Sequence, residues 1–263
     1  MYKKLDIKWY TTIDSTNMQA QREMHSAEEG SVWVADFQTS GRGQRGNVWE
    51  SAKSRNLMFT ILFKPDFLLA QDQFLISQTV ALAIVNYLKN RGLVAKIKWP
   101  NDIYCGDRKI CGILIENAIS GANLSASIVG IGINVNQTRF DSDAPNPTSL
   151  LLESNSLLPG DYADLEEFDR KEELQALLEE ITRLYALLCE GEEEYIRGAY
   201  LNAMYRKEGY HKFMDLSGRA EGMSEGKCFE ARIIGPDRYG CLLLERRDGT
   251  RSNYAFQEVR YII

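Results

Sequence analysis

The sequence predicts an α/β fold closed by a small all-β unit at its C-terminal end, and three observations carry that prediction. Short apolar, β-rich segments are interleaved with helical stretches over residues 1–208. Segments 109–117 and 124–135 flank a Gly121-centred turn in the manner of an antiparallel hairpin. Residues 209–263 hold only short apolar segments punctuated by Gly218, Gly235, Gly240 and Gly249, the texture of an all-β unit. With 263 residues, 44% of them hydrophobic, the chain can close a full core and still carry that second domain.

DIKWY (6–10) reads as a short strand, and Asp14-Ser15-Thr16-Asn17 then offers N-cap residues for a polar helix reaching about Met24. SVWVADF (31–37) and NLMFTILF (56–63) are buried strands, separated by a Gly- and Arg-bearing segment that is long for a plain connection. Residues 71–90 give the clearest helix, with Phe74, Ile76, Val80, Ala83, Ile84, Tyr87 and Leu88 on one face and Gly92 as its stop. VAKIKW (94–99) is a strand ended by Pro100, followed by a polar turn and then the hairpin. Residues 137–160 have loop composition, with a short helical anchor at Ser149–Leu152. Helices are expected over 166–189 and 192–206, and strands at KFMDL, KCFEARIIG, CLLLER, SNYAF and EVRYII.

Several function classes fall away on composition. No run of about 18 apolar residues exists, and the opening MYKKLDIKWY lacks a signal peptide's apolar segment, so a cytoplasmic protein with no membrane partner is expected. The five cysteines form no CxxC, and the two histidines, His25 and His211, are too few and too distant for an HExxH site. A Ser-His-Asp hydrolase is disfavoured by the same shortage of histidine. A net charge of -6 argues against broad nucleic-acid binding. Basic residues nonetheless gather in GRGQRG with Lys53 and Arg55, and in KIKWPNDIYCGDRK, which suits an anionic small molecule.

GRGQRG (41–46) meets the dinucleotide pattern G-x-G-x-x-G, but no helix opens within it and no acidic residue follows at the required place. No Gly-Lys-Ser/Thr ends it either, which removes a phosphate-loop NTPase. What is left is either a solvated hairpin loop or an anion clamp, in which exposed backbone N–H groups and guanidinium groups close over phosphate or carboxylate oxygens. Lys98-Trp-Pro-Asn-Asp102 places a flat apolar ring beside groups able to bind metal and phosphate, and Lys109 stands at the threshold of the strand ICGILIE, its stem buried and its amine free to enter a cleft. A charged strand edge with a core tryptophan accounts for the same residues. The alternating glycines of Gly130-Ile-Gly-Ile-Asn-Val-Asn136 indicate close backbone approach or plain packing, and Ser15 and Thr16 serve a helix cap or a ligand.

The ordered set DSTN (14–17), QTSGRGQRG-x-x-W (38–49), KWPND (98–102), DRKICGILIE (107–116) and GIGINVN (130–136) closely resembles the bacterial biotin protein ligases, biotin-[acetyl-CoA-carboxylase] ligases. Residues 233–244 and FQEV (256–259) resemble that family's small C-terminal domain. The resemblance implies a mixed, largely antiparallel sheet with helices, related to class II aminoacyl-tRNA synthetase catalytic domains, plus an SH3-like β domain. It implies an ATP-dependent ligase that makes biotinyl-5'-adenylate and passes biotin to a lysine of a biotin carboxyl carrier protein or domain, with ATP and biotin as substrates and Mg²⁺ as the metal. Lys109 and Arg42 would be catalytic. Ser15, Thr16, Asn17, Gln38, Arg42, Gly43, Gln44, Lys109 and Gly112 would bind biotin, and Arg42, Gln44, Arg45, Trp99, Asn101 and Asn134 the adenylate, with Asp102 organising Mg²⁺.

Gln44 stands where the family commonly has arginine, so either Arg45 supplies that charge or Gln44 hydrogen-bonds in its place. Many bacterial members carry an N-terminal DNA-binding domain, whereas DSTN begins here at residue 14, so no DNA partner is expected. The resemblance allows a homodimer. A lipoate-protein ligase, which uses the same logic on a related fold, and an acidic module whose basic loop binds a peptide are the competing readings.

Overall fold

The computed structural model describes residues 5–43, 49–141, 146–155, 166–218 and 226–263. Apolar runs, buried on both faces in the centre, build a seven-stranded mixed sheet. Its strands are β1 (Asp6–Tyr10), β2 (Ser31–Ala35), β3 (Leu57–Phe63), β4 (Ala95–Lys98), β5 (Asp102–Cys105), β6 (Arg108–Ser120) and β7 (Asn123–Ile133), in the order β1-β2-β3-β7-β6-β5-β4. Only β1 and β2 run parallel; every other pairing is antiparallel.

Odd-numbered residues of β3 and β7, such as Phe59, Ile61, Val129 and Ile131, join one core with the helices α2 (Phe74–Asn90), α4 (Arg170–Cys189) and α5 (Glu193–Ala203). Even-numbered residues face the other way, where Leu62 and Ile128 pack with Trp33 and with Ala20 of α1 (Thr16–Glu23). The rest of that second face is the wall of a cavity. Among the described residues, no helix is long and apolar enough to cross a membrane.

Three expectations need correcting. The segment after Pro100 is more than a polar turn: Ile103, Tyr104 and Cys105 are buried and form β5, which sits between β4 and β6. Helix α4 starts at Arg170 because the Asp169 carboxylate accepts from the backbone N–H groups of Lys171 (2.7 Å) and Glu172 (3.3 Å), fixing the N-terminus there. Helix α5 ends at Ala203 because Met204 and Tyr205 leave it to pair with the β4 edge, Tyr205 N–H donating to the Ile97 carbonyl at 2.8 Å. The short anchor near Ser149 is α3 (Leu150–Asn155), held by buried Leu150 and Leu151.

A second, five-stranded antiparallel sheet comprises β8 (His211–Asp215), β9 (Lys227–Pro236), β10 (Leu242–Arg246), β11 (Arg251–Tyr254) and β12 (Val259–Tyr261), in the order β11-β10-β9-β8-β12. It is bound closely to the first unit. The Trp99 indole N–H donates to the Gly240 carbonyl at 2.9 Å, and its ring meets Phe256 edge-on at 6.2 Å. Arg238 clasps both oxygens of Asp72, and Arg206 donates to the Ile262 carbonyl at 2.6 Å.

Candidate active site

Strand register creates the site. Lys98 pairs with Asp102, Asp102 with Gly112, Gly112 with Gly132, and Gly132 with Met58, so these five side-chain positions form one row across β4, β5, β6, β7 and β3. Cross-strand partners share a face of the sheet. All five line a single cavity of about 870 Å³, a size suited to a small organic ligand.

Two adjacent glycines open the floor of that cavity. A Cβ on Gly132 would lie 2.4 Å from Cε2 of Trp49, and one on Gly112 would lie 2.9 Å from Trp49 Cζ3. The indole therefore rests directly on bare backbone, an approach that a side chain at either position would block. Its ring N–H is buried and has no hydrogen-bond partner among the described residues. Gly130, the next cavity-facing position of β7, lies under the Asn17 amide, where a Cβ would come within 2.1 Å of Oδ1.

The start of α1 forms the polar end. The Gln38 side-chain oxygen accepts from the Thr16 backbone N–H (2.7 Å) and hydroxyl (3.2 Å), and the buried Thr60 hydroxyl lies 2.8 Å from Thr16 Oγ1 and 2.6 Å from Asn17 Oδ1. Asn17 Nδ2 donates to Glu116 at 2.9 Å, and the other oxygen of Glu116 pairs with Arg42 at 3.3 Å. These contacts fix Asn17 and Gln38 as an oriented wall with little freedom to turn.

At the opposite end Lys109 places its amine over Gly112 and 2.6 Å from Asp102 Oδ1, while Lys98 stands 4.0 Å from Asp102 Oδ2. The Lys109 amine also faces the Trp49 ring at 5.6 Å. Burial holds the Lys98 ammonium below the ordinary lysine range; Asp102 opposes that shift, and Lys109 and Arg206 add to it. Asn101 braces the floor, its amide donating to the Ile113 carbonyl at 2.6 Å. The cavity wall holds Arg42, Lys98, Lys109 and Arg260 against Asp102 and Glu258. Such an excess of cations, in a chain of net charge -6, suits a polyanionic ligand. Asp102, a carboxylate on this wall paired with Lys109, is the residue that could hold Mg²⁺ for such a ligand; no cluster of three or more ligating side chains occurs among the described residues.

Ser15, Thr16, Asn17, Gln38, Arg42, Gly43, Trp99, Asn101, Asp102, Lys109 and Gly112 all line this one cavity. Gln44 and Arg45 lie outside the described residues. Asn134 does not reach the cavity wall: it is buried behind it, its amide donating to the Thr148 carbonyl at 2.9 Å. Trp99 contributes to the wall while its indole N–H is committed to Gly240.

Sequence reasoning missed Thr60, whose hydroxyl within the apolar run LMFTILF was the available signal. It also missed Leu216, Ser217 and Ala255–Tyr261 of the second sheet, which close the cavity from above. No local pattern marks them as facing a ligand.

The model of the biotin/lipoate A/B protein ligase family matches residues 9–134. A bifunctional ligase/repressor BirA of Bacillus spizizenii is 29% identical over 249 residues, which cover 94% of this chain and 71% of the relative. A biotin-[acetyl-CoA-carboxylase] ligase of Paracoccus denitrificans is 39% identical over 127 residues, 46% of this chain and 51% of that one. A biotin protein ligase of Aquifex aeolicus, solved in complex with biotin and ATP, superimposes with a TM-score of 0.70 at 25% identity, covering 98% of this chain and 99% of that one.

Proposed function

The chain belongs to the biotin protein ligases of the biotin/lipoate A/B protein ligase family, and on that premise we propose that its cavity condenses biotin with ATP and delivers the acyl group to a carrier lysine. The acceptor in this reading is a biotin carboxyl carrier protein or domain. The observation that carries the proposal is the row from Met58 to Lys98, in which an apolar and glycine floor runs directly into a lysine-flanked carboxylate. A ligand that is apolar at one end and becomes an acyl phosphate at the other fits that gradient. In the same reading the second sheet is the family's SH3-like unit, the boundary falls between residues 208 and 209, and the larger unit is kin to class II aminoacyl-tRNA synthetase catalytic domains.

In the first step a carboxylate oxygen of biotin attacks the α-phosphorus of ATP. The new C(O)–O–P bond forms as the bond to the β-phosphate oxygen breaks, and pyrophosphate leaves with the electron pair. Two anions approach each other, so fixed positive charge at the reacting phosphate lowers the barrier most. Lys109 supplies it from above Gly112, and Arg42, released from Glu116, supplies it from the Gly-rich loop. Mg²⁺ held by Asp102 and phosphate oxygens would add further charge neutralisation. Thr16, Asn17 and Gln38 hold the polar ring of biotin, and Trp49 covers the floor and shields the mixed anhydride from water.

In the second step the carrier's lysine amine attacks the acyl carbon and AMP departs. The ammonium must shed its proton first. Neither His25 nor His211 lines the cavity, and Asp102 and Glu258 are the carboxylates on the described wall. Asp102 is the acceptor in this reading because it stands at the reacting end of the row, and it takes this part after pyrophosphate has left with the metal.

Pyrophosphate release that needs both ATP and biotin, with biotinyl-adenylate identified by mass spectrometry, tests the reaction. Lipoate in place of biotin separates the related ligase, and a peptide-binding module would release no pyrophosphate at all. Lys109→Ala should lower adenylate formation by about 10²–10³-fold, the loss typical of one preorganised donor. Its melting temperature should fall little, because Lys109 adds no apolar group to the core and Asp102 keeps Lys98 nearby. Wild-type adenylate synthesis by that variant would remove Lys109 from the reaction.

A further inference from the structure

We propose that Lys98 binds the pyrophosphate end of ATP, holding the β- and γ-phosphates during activation and the pyrophosphate as it leaves. The inference rests on the adenylating function proposed above, and it assigns a residue that the two-cation picture of Arg42 and Lys109 leaves unused.

Position along the row comes first. The Lys109 amine lies over Gly112 of β6, Asp102 stands on β5, and Lys98 stands on β4. Neighbouring strands are about 5 Å apart, so each step outward from Gly112 moves roughly the length of one phosphate group. An α-phosphate at Lys109 therefore carries its leaving group past Asp102 and toward Lys98. The Asp102 carboxylate separates the two amines, with Oδ1 on Lys109 and Oδ2 toward Lys98.

Incomplete pairing is the second observation. Lys109 meets Asp102 at 2.6 Å, whereas Lys98 is 4.0 Å away, at the outer edge of an ion pair. Only a fifth of the Lys98 side chain is exposed. Its amine sits between the faces of Tyr104 (4.9 Å) and Tyr261 (5.6 Å), the latter from the second sheet. Both rings are neutral phenols, so neither offers a counter-charge. A desolvated ammonium held by rings and half a carboxylate is poised for an incoming anion, and a multiply charged one satisfies Lys98 and Lys109 together.

Biotin-dependent exchange between pyrophosphate and ATP tests this on the full chain, comparing wild type with Lys98→Met, Lys98→Gln and Lys98→Arg. The neutral variants should raise the KM for pyrophosphate and for ATP at least tenfold, and Lys98→Arg should recover most of the loss. Biotin affinity by calorimetry should stay within twofold. So should the rate at which hydroxylamine takes the acyl group from enzyme loaded with synthetic biotinyl-5'-adenylate, because pyrophosphate takes no part in that step.

Unchanged pyrophosphate KM in a folded neutral variant would overturn the assignment. Equal losses in both half-reactions would also overturn it, showing a Lys98 that merely braces Tyr261. Should Lys98→Met fail to fold, the shorter Lys98→Gln and the charge-retaining Lys98→Arg carry the same comparison. Failure of the wild-type chain to catalyse any exchange would instead sink the adenylating function itself, so the two failures are distinguishable.

Discussion

Gly132→Ala puts the glycine floor to a direct test. Gly132 does not have positive φ, so alanine suits its backbone and the consequence is confined to the added methyl. That methyl would meet Trp49 Cε2, Nε1 and Cζ2 at 2.4, 2.6 and 2.8 Å, against the roughly 3.5–4.0 Å of an unstrained carbon contact. The indole must therefore shift by about 1 Å or more. Overpacking of this kind costs about 1–3 kcal/mol, and a ring carried at the end of a loop can yield, so folding should lose only the lower part of that range. A bound ligand cannot yield in the same way. If biotin lies on the floor, the methyl intrudes on it and the penalty moves to binding, raising Kd by roughly 5- to 150-fold. Calorimetric titration with biotin and a thermal melt measure the two effects. Gly198→Ala is the control, because Gly198 lies in α5 with nothing within 4 Å of its would-be Cβ, and that variant should be neutral or slightly stabilised. Wild-type biotin affinity in Gly132→Ala, with the melt unchanged, would show that the ligand lies elsewhere.

Thr60→Val should weaken biotin binding at least tenfold or destabilise the fold by about 1–3 kcal/mol, because it removes the hydroxyl that joins Thr16 and Asn17 inside the sheet; urea titration with calorimetry reads both. Gly240→Ala should reduce adenylate formation more than biotin binding, since its methyl would press on Phe74 at 2.8 Å from a backbone with φ +89° and loosen the Trp99 contact that seats Phe256 over the cavity; parallel adenylation and biotin titrations decide. Glu23 is held below the ordinary glutamate range chiefly by its hydrogen bond from Lys8, with Gln19 and Trp33 also donating. Its stabilising contribution is therefore complete above about pH 4.5 and fades as pH falls through its folded value, so Glu23→Gln should flatten the acid side of a melting-temperature profile.

The parts of this site were legible because each is locally encoded. The hairpin of β6 and β7 shows in its alternation and in Gly121, and the residues of DSTN, KWPND and GIGINVN each announce an unusual backbone or a charge beside an apolar strand. Their order across the sheet was not legible. That Lys98, Asp102, Gly112, Gly132 and Met58 share one row follows from long-range pairing through a strand, β5, whose four residues are too short to show a period. Asn134 illustrates the limit of extrapolating alternation. It has the same parity as Gly130 and Gly132, but β7 ends at Ile133, and beyond that point the side chain turns inward to Thr148.

If the cavity holds the acyl-adenylate proposed above, the second sheet accounts for its cover. Strand pairing supplies a floor and two ends but no roof, because β4 is an edge strand and the row simply stops at Lys98. Leu216, Ser217 and Ala255–Tyr261 continue the wall beyond that edge, with Tyr261 set against Lys98 and Phe256 against Trp99. Of the contacts that anchor them, the Arg238–Asp72 pair lies away from the cavity wall, whereas Trp99 both lines the cavity and donates to Gly240. Attachment and coverage thus meet at Trp99. A lysine on the sheet edge is four-fifths buried here, between Tyr104 of β5 and Tyr261, which arrives from a segment more than 150 positions later in the chain. The electrostatic strength of the lysine-bearing end of the cavity therefore depends on how the two sheets dock as well as on the charges themselves.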